Sequence, residues 1–199
     1  MINPADVYFS FDIEADGPIP GDFSMSTLGL VACATRERHG PLVRLDLDDP
    51  ANCFYAQLKP ISEQFDPAAA AVAGIPRTEL IADGRAPDAV LPELATWVDE
   101  TASRYGGSPV AVAFPLGFDW MFLYWYLIHY AGRSPFAHGR HLDIRTLYVA
   151  RTRALVKESR KADMPKSLLS RRPHTHNALD DAREQAELFC NTWDLPPTG

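Results

Sequence analysis

Two carboxylates lie two residues apart near the start of the chain, in the segment Phe11-Asp12-Ile13-Glu14. The surrounding run VYFSFDI (7–13) is rich in β-branched and aromatic residues, which predicts a strand. Because side chains alternate along a strand, Asp12 and Glu14 should project from one face while Phe11 and Ile13 enter the other. Neighbouring carboxylates beside a core repel each other, and two divalent metal ions about 4 Å apart would offset that cost. Alone the pattern is weak, since a strand running into an acidic loop looks the same.

Another carboxylate, Asp119, stands between Phe118 and the apolar run Trp120 to Ile128. This position falls in the first turn of a predicted helix that follows a predicted strand. An acid there also stabilises a helix through its dipole. Asp119 therefore indicates either a metal ligand or an ordinary first-turn acid.

The segment HTHNALDDA (174–182) combines imidazoles with carboxylates. Asn177 is expected to cap the last helix, and Asp180 and Asp181 suit its first turn. Capping does not explain His176. This residue precedes the helix and would lie beside a site to which Asp181 contributes from the first turns of the helix. That arrangement suits a general base next to a metal ligand. We interpret His174 as a surface residue or a supporting one rather than a second base.

The rest of the pattern predicts an α/β domain. Three early strands, joined by short turns that favour an antiparallel meander, are expected at Val7–Ile13, Ser26–Ala34 and Cys53–Leu58. Two later strands are expected at Pro109–Phe114 and Leu142–Ile144. Helices are predicted from Asp66 to Gly74 and at Leu91–Tyr105, Phe118–Tyr130 and Asn177–Trp193. We therefore expect a mixed five-stranded sheet flanked by helices, with residues 1–195 as one domain and 196–199 as a frayed tail.

The composition excludes several classes of protein. Of the 199 residues, 46% are hydrophobic and 11% aromatic, which excludes global disorder. A net charge of -7 argues against wrapping duplex DNA but not against a nuclease, since a metal site needs acids. Three dispersed cysteines form no C-x-x-C pair, so neither a zinc knuckle nor a disulfide framework is indicated. With no secretory signal and no apolar run long enough to cross a bilayer, we expect a cytoplasmic protein without membrane contact.

One segment has a positive net charge, although the chain as a whole is negatively charged. Residues 151–172 contain eight basic and two acidic side chains, a net charge of +6, which leaves -13 on the remaining chain. Because this segment precedes His176 directly, it could hold an incoming phosphate backbone. A solvated helix face would show the same charge pattern, and both interpretations stay open.

Taken together, the three acidic segments resemble the DEDDh exonucleases, a branch of the DnaQ-like or ribonuclease T superfamily with a ribonuclease H-like fold. The family's D-x-E motif on the opening strand matches Asp12 and Glu14. Its helix-start F-D motif matches FDWMFL (118–123), and its H-x-A-x-x-D-A motif matches HNALDDA (176–182). The resemblance implies a sheet whose first three strands are antiparallel and whose later strands are parallel.

The same resemblance implies the chemistry. Asp12, Glu14, Asp119 and Asp181 would hold two Mg²⁺ or Mn²⁺ ions, and His176 would activate a water molecule. The implied activity is hydrolysis of the phosphodiester bond at the 3′ end of single-stranded or frayed DNA or RNA, with release of 5′-mononucleotides. Related enzymes often pair, so a homodimer through the apolar helix 120–128 is a further option beside a purely core role for that helix.

Two departures from the family pattern affect the substrate pocket. Phe114-Pro115-Leu116-Gly117 replaces the usual asparagine before the second motif, and Ala15-Asp16 replaces a common threonine pair after Glu14. Asp16 could still reach the site, whereas Asp180 should point elsewhere. Residues around the pocket are expected to bind the substrate, namely Ala15, Asp16, Phe23, Phe118, Lys166 and Arg171.

Two alternatives to a general exonuclease remain. The same fold could serve as a non-catalytic module that binds nucleic acid or acts as a scaffold, although all five expected catalytic side chains are present. An enzyme for very short oligonucleotides would keep the chemistry and change the substrate.

Overall fold

The computed structural model describes residues 5–72 and 74–196. Within these residues the strands are β1 Ala5–Ala15, β2 Met25–Glu37, β3 Val43–Arg44, β4 Cys53–Gln57, β5 Gly107–Ala113 and β6 His141–Asp143. The helices are α1 Pro67–Val72, α2 Arg77–Asp83, α3 Pro87–Arg104, α4 Leu116–Tyr126, α5 Ile144–Thr152 and α6 Ala178–Trp193. A π-helical turn continues α4, and short 3₁₀ turns lie at Pro50–Asn52, Val156–Glu158 and Lys161–Asp163.

The strands form one mixed sheet with the order β3-β2-β1-β5-β6, and β4 pairs with the same edge of β2 as β3. β2 is antiparallel to β1 and β4, whereas β5 is parallel to β1 and β6. The predicted mixed architecture is confirmed, but the count of five strands is wrong, because the described sheet has six. The missed strand, β3, has two residues and follows the Gly40-Pro41 turn, so it is too short to show an alternating pattern.

The two faces of β1 are buried by different helices. Phe9 and Phe11 belong to the apolar cluster formed with α3 and α4. Tyr8 packs on the opposite face, with its ring centroid 5.0 Å from that of Phe189 on α6. Asp12 and Glu14 share the alternation of Tyr8, so they project toward α6. The alternation predicted from the sequence is therefore present.

A glycine in β2 lets α6 approach the sheet at the level of the acids. Gly29 pairs with Asp12 across the β1–β2 ladder. A Cβ atom at Gly29 would lie 2.3 Å from the backbone nitrogen of Leu179, which is closer than real contacts allow. Because glycine lacks that atom, the first turn of α6 can rest on the strand and place Asp181 over β1.

Some predictions concern the chain ends and the surroundings of the protein. Among residues 5–72 and 74–196, no helix is both long and apolar enough to cross a membrane. Cys33, Cys53 and Cys190 are free, as the sequence predicts. Of the tail expected at 196–199, all but Pro196 lies outside the described residues. A single domain over 1–195 stays a prediction.

Candidate active site

The centre of the site is formed by carboxylates from β1 and α6. Asp12 and Glu14 come from β1, and Asp181 comes from the first turn of α6. One oxygen of each of these three side chains lies within 4.8 Å of the others. Asp12 and Glu14 are partly buried, whereas Asp181 is completely buried. The fold thus brings together two acidic segments that lie far apart in the sequence.

Asp119 approaches the same centre from the start of α4. This helix begins three residues after β5 ends, and Asp143 at the end of β6 holds its start by accepting a 2.7 Å hydrogen bond from the Leu116 N–H. Asp119 is buried, and the backbone of Ile13 hydrogen-bonds its carboxylate. Asp119 therefore reaches the end of β1, beside the other acids, although it lies outside the group of three described above.

The electrostatics of these acids show mutual repulsion in a buried place. Burial, followed by the negative charges of Asp119, Glu14 and Asp181, raises the pKa of Asp12 well above its ordinary range. Burial and the charge of Asp181 raise the pKa of Glu14 to about 7. Burial is also the main cause that raises the pKa of Asp119 to about 7. Groups that resist ionisation together are suited to share a cation.

The hydrogen bonds of Asp181 also support a bound cation. Its Oδ1 accepts a 3.0 Å hydrogen bond from the Thr175 N–H. Its Oδ2 is buried and has no hydrogen-bond partner among the described residues. An unpartnered buried carboxylate oxygen is costly, and a metal ion would supply the missing partner.

Both histidines of the 174–182 segment lie at the site. The Nδ1 atom of His176 is 3.8 Å from Glu14 Oε1. The Nδ1 atom of His174 is 3.1 Å from Asp181 Oδ1 and 3.4 Å from Glu184 Oε2. His174 is exposed, and its ring also contacts an acid of the centre, so the structure agrees with both a surface position and a supporting one.

Three further residues contribute to the centre and were not assigned to it from the sequence. Gln185 is buried and bridges two motifs: its Nε2 donates to Asp12 Oδ1 at 2.7 Å, and its Oε1 accepts from the Phe114 N–H at 2.7 Å. Glu184 forms an ion pair with Lys161 at 2.7 Å. The spacing of Glu184 and Gln185, three and four residues after Asp181, puts them on its helix face, and this was the signal available in the sequence.

Lys161 brings positive charge to the acids. It belongs to the basic segment 151–172, and its charge opposes the upward pKa shifts of Asp12 and Asp119. Its ammonium nitrogen also lies 5.6 Å from the ring centroid of Phe114. In the sequence, nothing distinguishes this lysine from the other basic residues of the segment.

The structure gives Asp16 partners within the protein, and its expected role in substrate binding stays a prediction. Asp16 follows the last residue of β1, so it lies outside the strand that carries Asp12 and Glu14. The Asp16 carboxylate is buried, accepts a 2.5 Å hydrogen bond from the Ser24 N–H and forms an ion pair with Arg77. It fastens the chain after β1 to the start of α2. The side chain of Ala15 is buried in the core, and its expected contact with substrate stays a prediction.

The other expected substrate contacts lie nearer the surface. Phe23 is partly buried and packs over the backbone of Gly17, where an added Cβ would collide with its ring. Phe118 is 43% exposed beside Asp119, and its ring centroid is 5.1 Å from that of Phe122. Lys166 and Arg171 are both exposed. These four side chains stay candidates for substrate binding.

The basic segment is not a helix face. After α5 ends at Thr152 it consists of short 3₁₀ turns and irregular chain. Several of its cations are paired within the protein: Arg160 with Asp163, Lys161 with Glu184, and Arg172 with Asp48 and Glu187. The interpretation as a solvated helix face therefore fails for most of the segment.

Comparison with known proteins places this geometry in context. No protein-family model matches the chain. The chain is 34% identical, over 189 residues, to the 3′–5′ DNA exonuclease Cap18 of Escherichia coli, and the match covers 95% of this chain and 92% of that protein.

Two solved structures are similar in fold. One is the nuclease domain of 3′hExo, a DEDDh family member bound to rAMP, with a TM-score of 0.65, 14% identity and coverage of 95% of this chain and 91% of that one. The other is a 3′-exonuclease that recognises the 3′ end of a histone mRNA stem-loop, with a TM-score of 0.66 and 14% identity. That match covers 96% of this chain but 64% of the other, so the chain spans less than two thirds of that structure's length.

Proposed function

The chain belongs to the DEDDh 3′–5′ exonucleases, and from this membership we propose that it removes nucleotides from the 3′ end of single-stranded or frayed DNA. As a metal-dependent exonuclease it hydrolyses phosphodiester bonds. The observation that carries the proposal is the meeting of Asp12, Glu14 and Asp181 within 4.8 Å, with Asp119 beside them. The expected products are 5′-mononucleotides.

The four acids would hold two Mg²⁺ or Mn²⁺ ions. Their donors are all carboxylate oxygens, which suit these hard cations better than zinc. The unpartnered Oδ2 of Asp181 supports the fit. When bound, such ions stabilise the negative charge that develops on the phosphate and the departing 3′ oxygen.

We assign His176 as the general base that takes a proton from the attacking water. Its ring is about half exposed and faces Glu14, so it can pass the proton on to solvent. The Nδ1 atom of His174 already contacts Asp181 and Glu184, which leaves it less suited to that role. Replacing His176 by alanine should lower kcat about 10²- to 10⁴-fold, the usual contribution of a general base. An unchanged kcat would remove His176 from the mechanism.

DNA is the first substrate to test because the curated relative is a DNA exonuclease. Phe23 and Phe118 would stack on terminal bases, while Lys166 and Arg171 would contact the phosphate backbone. RNA and very short oligonucleotides are the alternatives that keep the chemistry. A non-catalytic binding module is disfavoured, because each residue of the family's three motifs is present and gathered at one place.

The test uses matched single strands of DNA and RNA of several lengths, each labelled at the 5′ end. With Mg²⁺, the wild-type protein should shorten the DNA stepwise from the 3′ end. Asp12→Asn, which keeps the shape of the side chain and removes its charge, should leave the DNA intact. Equal digestion by the wild type and Asp12→Asn would refute the proposed metal-dependent exonuclease activity at this site. Faster digestion of RNA would change the substrate and keep the reaction.

Two secondary proposals concern the surroundings of the enzyme. A cytoplasmic location is favoured by the free cysteines. A homodimer is favoured by apolar side chains that α4 and its continuation leave exposed, among them Met121, Tyr124 and Ile128. The molar mass in solution, measured by light scattering for the wild type and Tyr124→Glu, tests the dimer. A monomeric wild type would refute it.

A further inference from the structure

Besides the all-carboxylate group, the site contains a second set of metal-ligating atoms that includes nitrogen. One donor atom each from His174, His176 and Asp181 lies within 4.8 Å of the others. The two imidazole rings are perpendicular neighbours, with centroids 4.6 Å apart and planes inclined by 72°. His174 Nδ1 and Asp181 Oδ1 are 3.1 Å apart, a separation that two ligands of one ion can have.

The backbone brings these groups together at a cost. His176 has a φ of 58°, in the left-handed region that a side chain other than glycine rarely adopts. The Thr175 N–H donates to Asp181 Oδ1 at 3.0 Å and holds the segment against α6. Strained backbone of this kind concentrates at functional sites. Here it keeps two imidazoles beside the same carboxylate.

Asp181 also lacks a partner that a bound ion would supply, an observation that this set shares with the carboxylate group. It is fully buried, and its Oδ2 has no hydrogen-bond partner among the described residues. The two histidines are about half exposed, so an ion from solvent can reach them. Two accessible imidazoles and one carboxylate are a donor set that an open zinc site uses.

The chemistry of the donors distinguishes this set from the four acids. Imidazole nitrogen favours Zn²⁺, Cu²⁺ and other transition metals, while Mg²⁺ favours oxygen alone. We propose that His174, His176 and Asp181 bind a transition-metal ion such as Zn²⁺, and that this ion inhibits the exonuclease. The binding part stands on the geometry above, whereas the inhibition part rests on the proposed function.

Inhibition follows from shared residues. Asp181 belongs both to this set and to the carboxylate group with Asp12 and Glu14. An imidazole that binds Zn²⁺ through a ring nitrogen cannot take a proton at that atom, so a bound ion would block His176 as a base. Zn²⁺ would therefore remove one ligand from the Mg²⁺ site and the proton acceptor from the reaction.

Direct binding is tested with Co²⁺, a spectroscopic substitute for Zn²⁺. Nitrogen ligation in a site of low coordination number gives Co²⁺ a visible absorption much stronger than that of an octahedral all-oxygen site. The wild type should show this absorption and lose it when Zn²⁺ is added. His174→Gln should weaken Co²⁺ binding by about tenfold or more, at least the effect of losing an outer-shell partner.

His138→Gln is the matched control, because His138 is an exposed histidine in a turn outside the acidic centre. It should bind Co²⁺ like the wild type. Equal Co²⁺ affinity and absorption in the wild type and His174→Gln would overturn the site. An absence of strong absorption in the wild type would overturn it as well, and would leave the His174–Asp181 contact as an ordinary hydrogen bond.

Inhibition is measured separately, as the Zn²⁺ concentration that halves DNA digestion at a fixed Mg²⁺ concentration. His174→Gln should require about tenfold more Zn²⁺ than the wild type. Equal sensitivity would refute the inhibitory role. If the wild type digests no nucleic acid with Mg²⁺ alone, the proposed function fails, while the Co²⁺ measurement still decides the site.

Discussion

Two regions of very different regularity meet at the site. The acids are carried by β1, α4 and α6, elements of 11, 11 and 16 residues packed into the core. His174, His176 and seven of the eight basic residues of the 151–172 segment are carried by residues 153–177, where the described structure has only 3₁₀ turns and irregular chain. Gly29, under the first turn of α6, shows how closely the regular region is packed.

The difference separates two tasks. Metal ligands must be held to within fractions of an ångström, which long buried elements achieve because their side chains have few alternative positions. A proton acceptor and phosphate contacts must follow a strand that moves through the site, which surface segments allow. We therefore expect substitutions in the regular region to affect metal binding and kcat. Substitutions in the irregular region should affect substrate binding or, at His176, proton transfer.

The largest loss of activity is expected when one of the four acids of the regular region is replaced. Asp119→Asn keeps the size of a buried side chain and removes one negative charge. Metal ions stabilise the transition state by several kcal/mol, so kcat should fall by roughly 10³-fold. Single-turnover kinetics with labelled DNA checks this, and Asp180→Asn on the same helix as Asp181 is the control. A loss below tenfold would show that the regular region does not hold the metals.

A smaller effect is expected from the residue that positions Asp12. Gln185→Met keeps the length of the side chain and removes both hydrogen bonds, to Asp12 and from Phe114. Affinity for Mn²⁺ should fall about 10- to 100-fold, as for other outer-shell partners, while KM for DNA stays the same. Calorimetric titration with Mn²⁺ measures the affinity.

Asn191→Leu is the matched control for Gln185. Asn191 is another amide on α6 that bridges two segments, donating to the Leu168 carbonyl and accepting from Arg44, but it does not contact the acids. It should leave Mn²⁺ affinity unchanged. Equal losses in both variants would mean that Gln185 acts through general stability alone.

The exposed basic residues of the irregular region, unlike His176, should respond in KM. Lys166→Ala and Arg171→Ala each remove an exposed charge. If each contacts one phosphate of a single strand, the slope of log affinity against log salt should become shallower by about 0.7, with kcat unchanged. Arg160→Ala is the control, because Arg160 is already paired with Asp163. A change as large in Arg160→Ala would show a general charge effect.

The smallest effect concerns stability and pH. Without metal, the pKa values of Glu14 and Asp119 are about 7, above their ordinary values of 4.5 and 3.8, so the folded protein holds these protons more tightly than the unfolded chain does. Stability should therefore fall as the pH rises through about 7. Melting in EDTA from about pH 5 to about pH 8 should show a falling Tm, and Mn²⁺ should restore more at the higher pH. A rising Tm would contradict the account.

Much of the site could be predicted because its acids interrupt apolar segments. Asp12, Glu14 and Asp119 are conspicuous in runs that otherwise enter the core, and the H-x-A-x-x-D-A motif located His176 and Asp181. Gln185 was missed because a polar residue on an amphipathic helix carries no sign of burial until the neighbouring strand is in place. The partners of Asp16 could not be predicted, because Ser24 and Arg77 lie 8 and 61 residues further along the chain.

The central claim is that the four acids form a metal-dependent centre that digests nucleic acid from its 3′ end. The most direct measurement follows 5′-labelled single-stranded DNA with the wild type and Asp12→Asn, with Mg²⁺ and with EDTA. The wild type with Mg²⁺ alone should shorten the DNA stepwise from the 3′ end. Equal shortening by Asp12→Asn, or shortening by the wild type in EDTA, would contradict it.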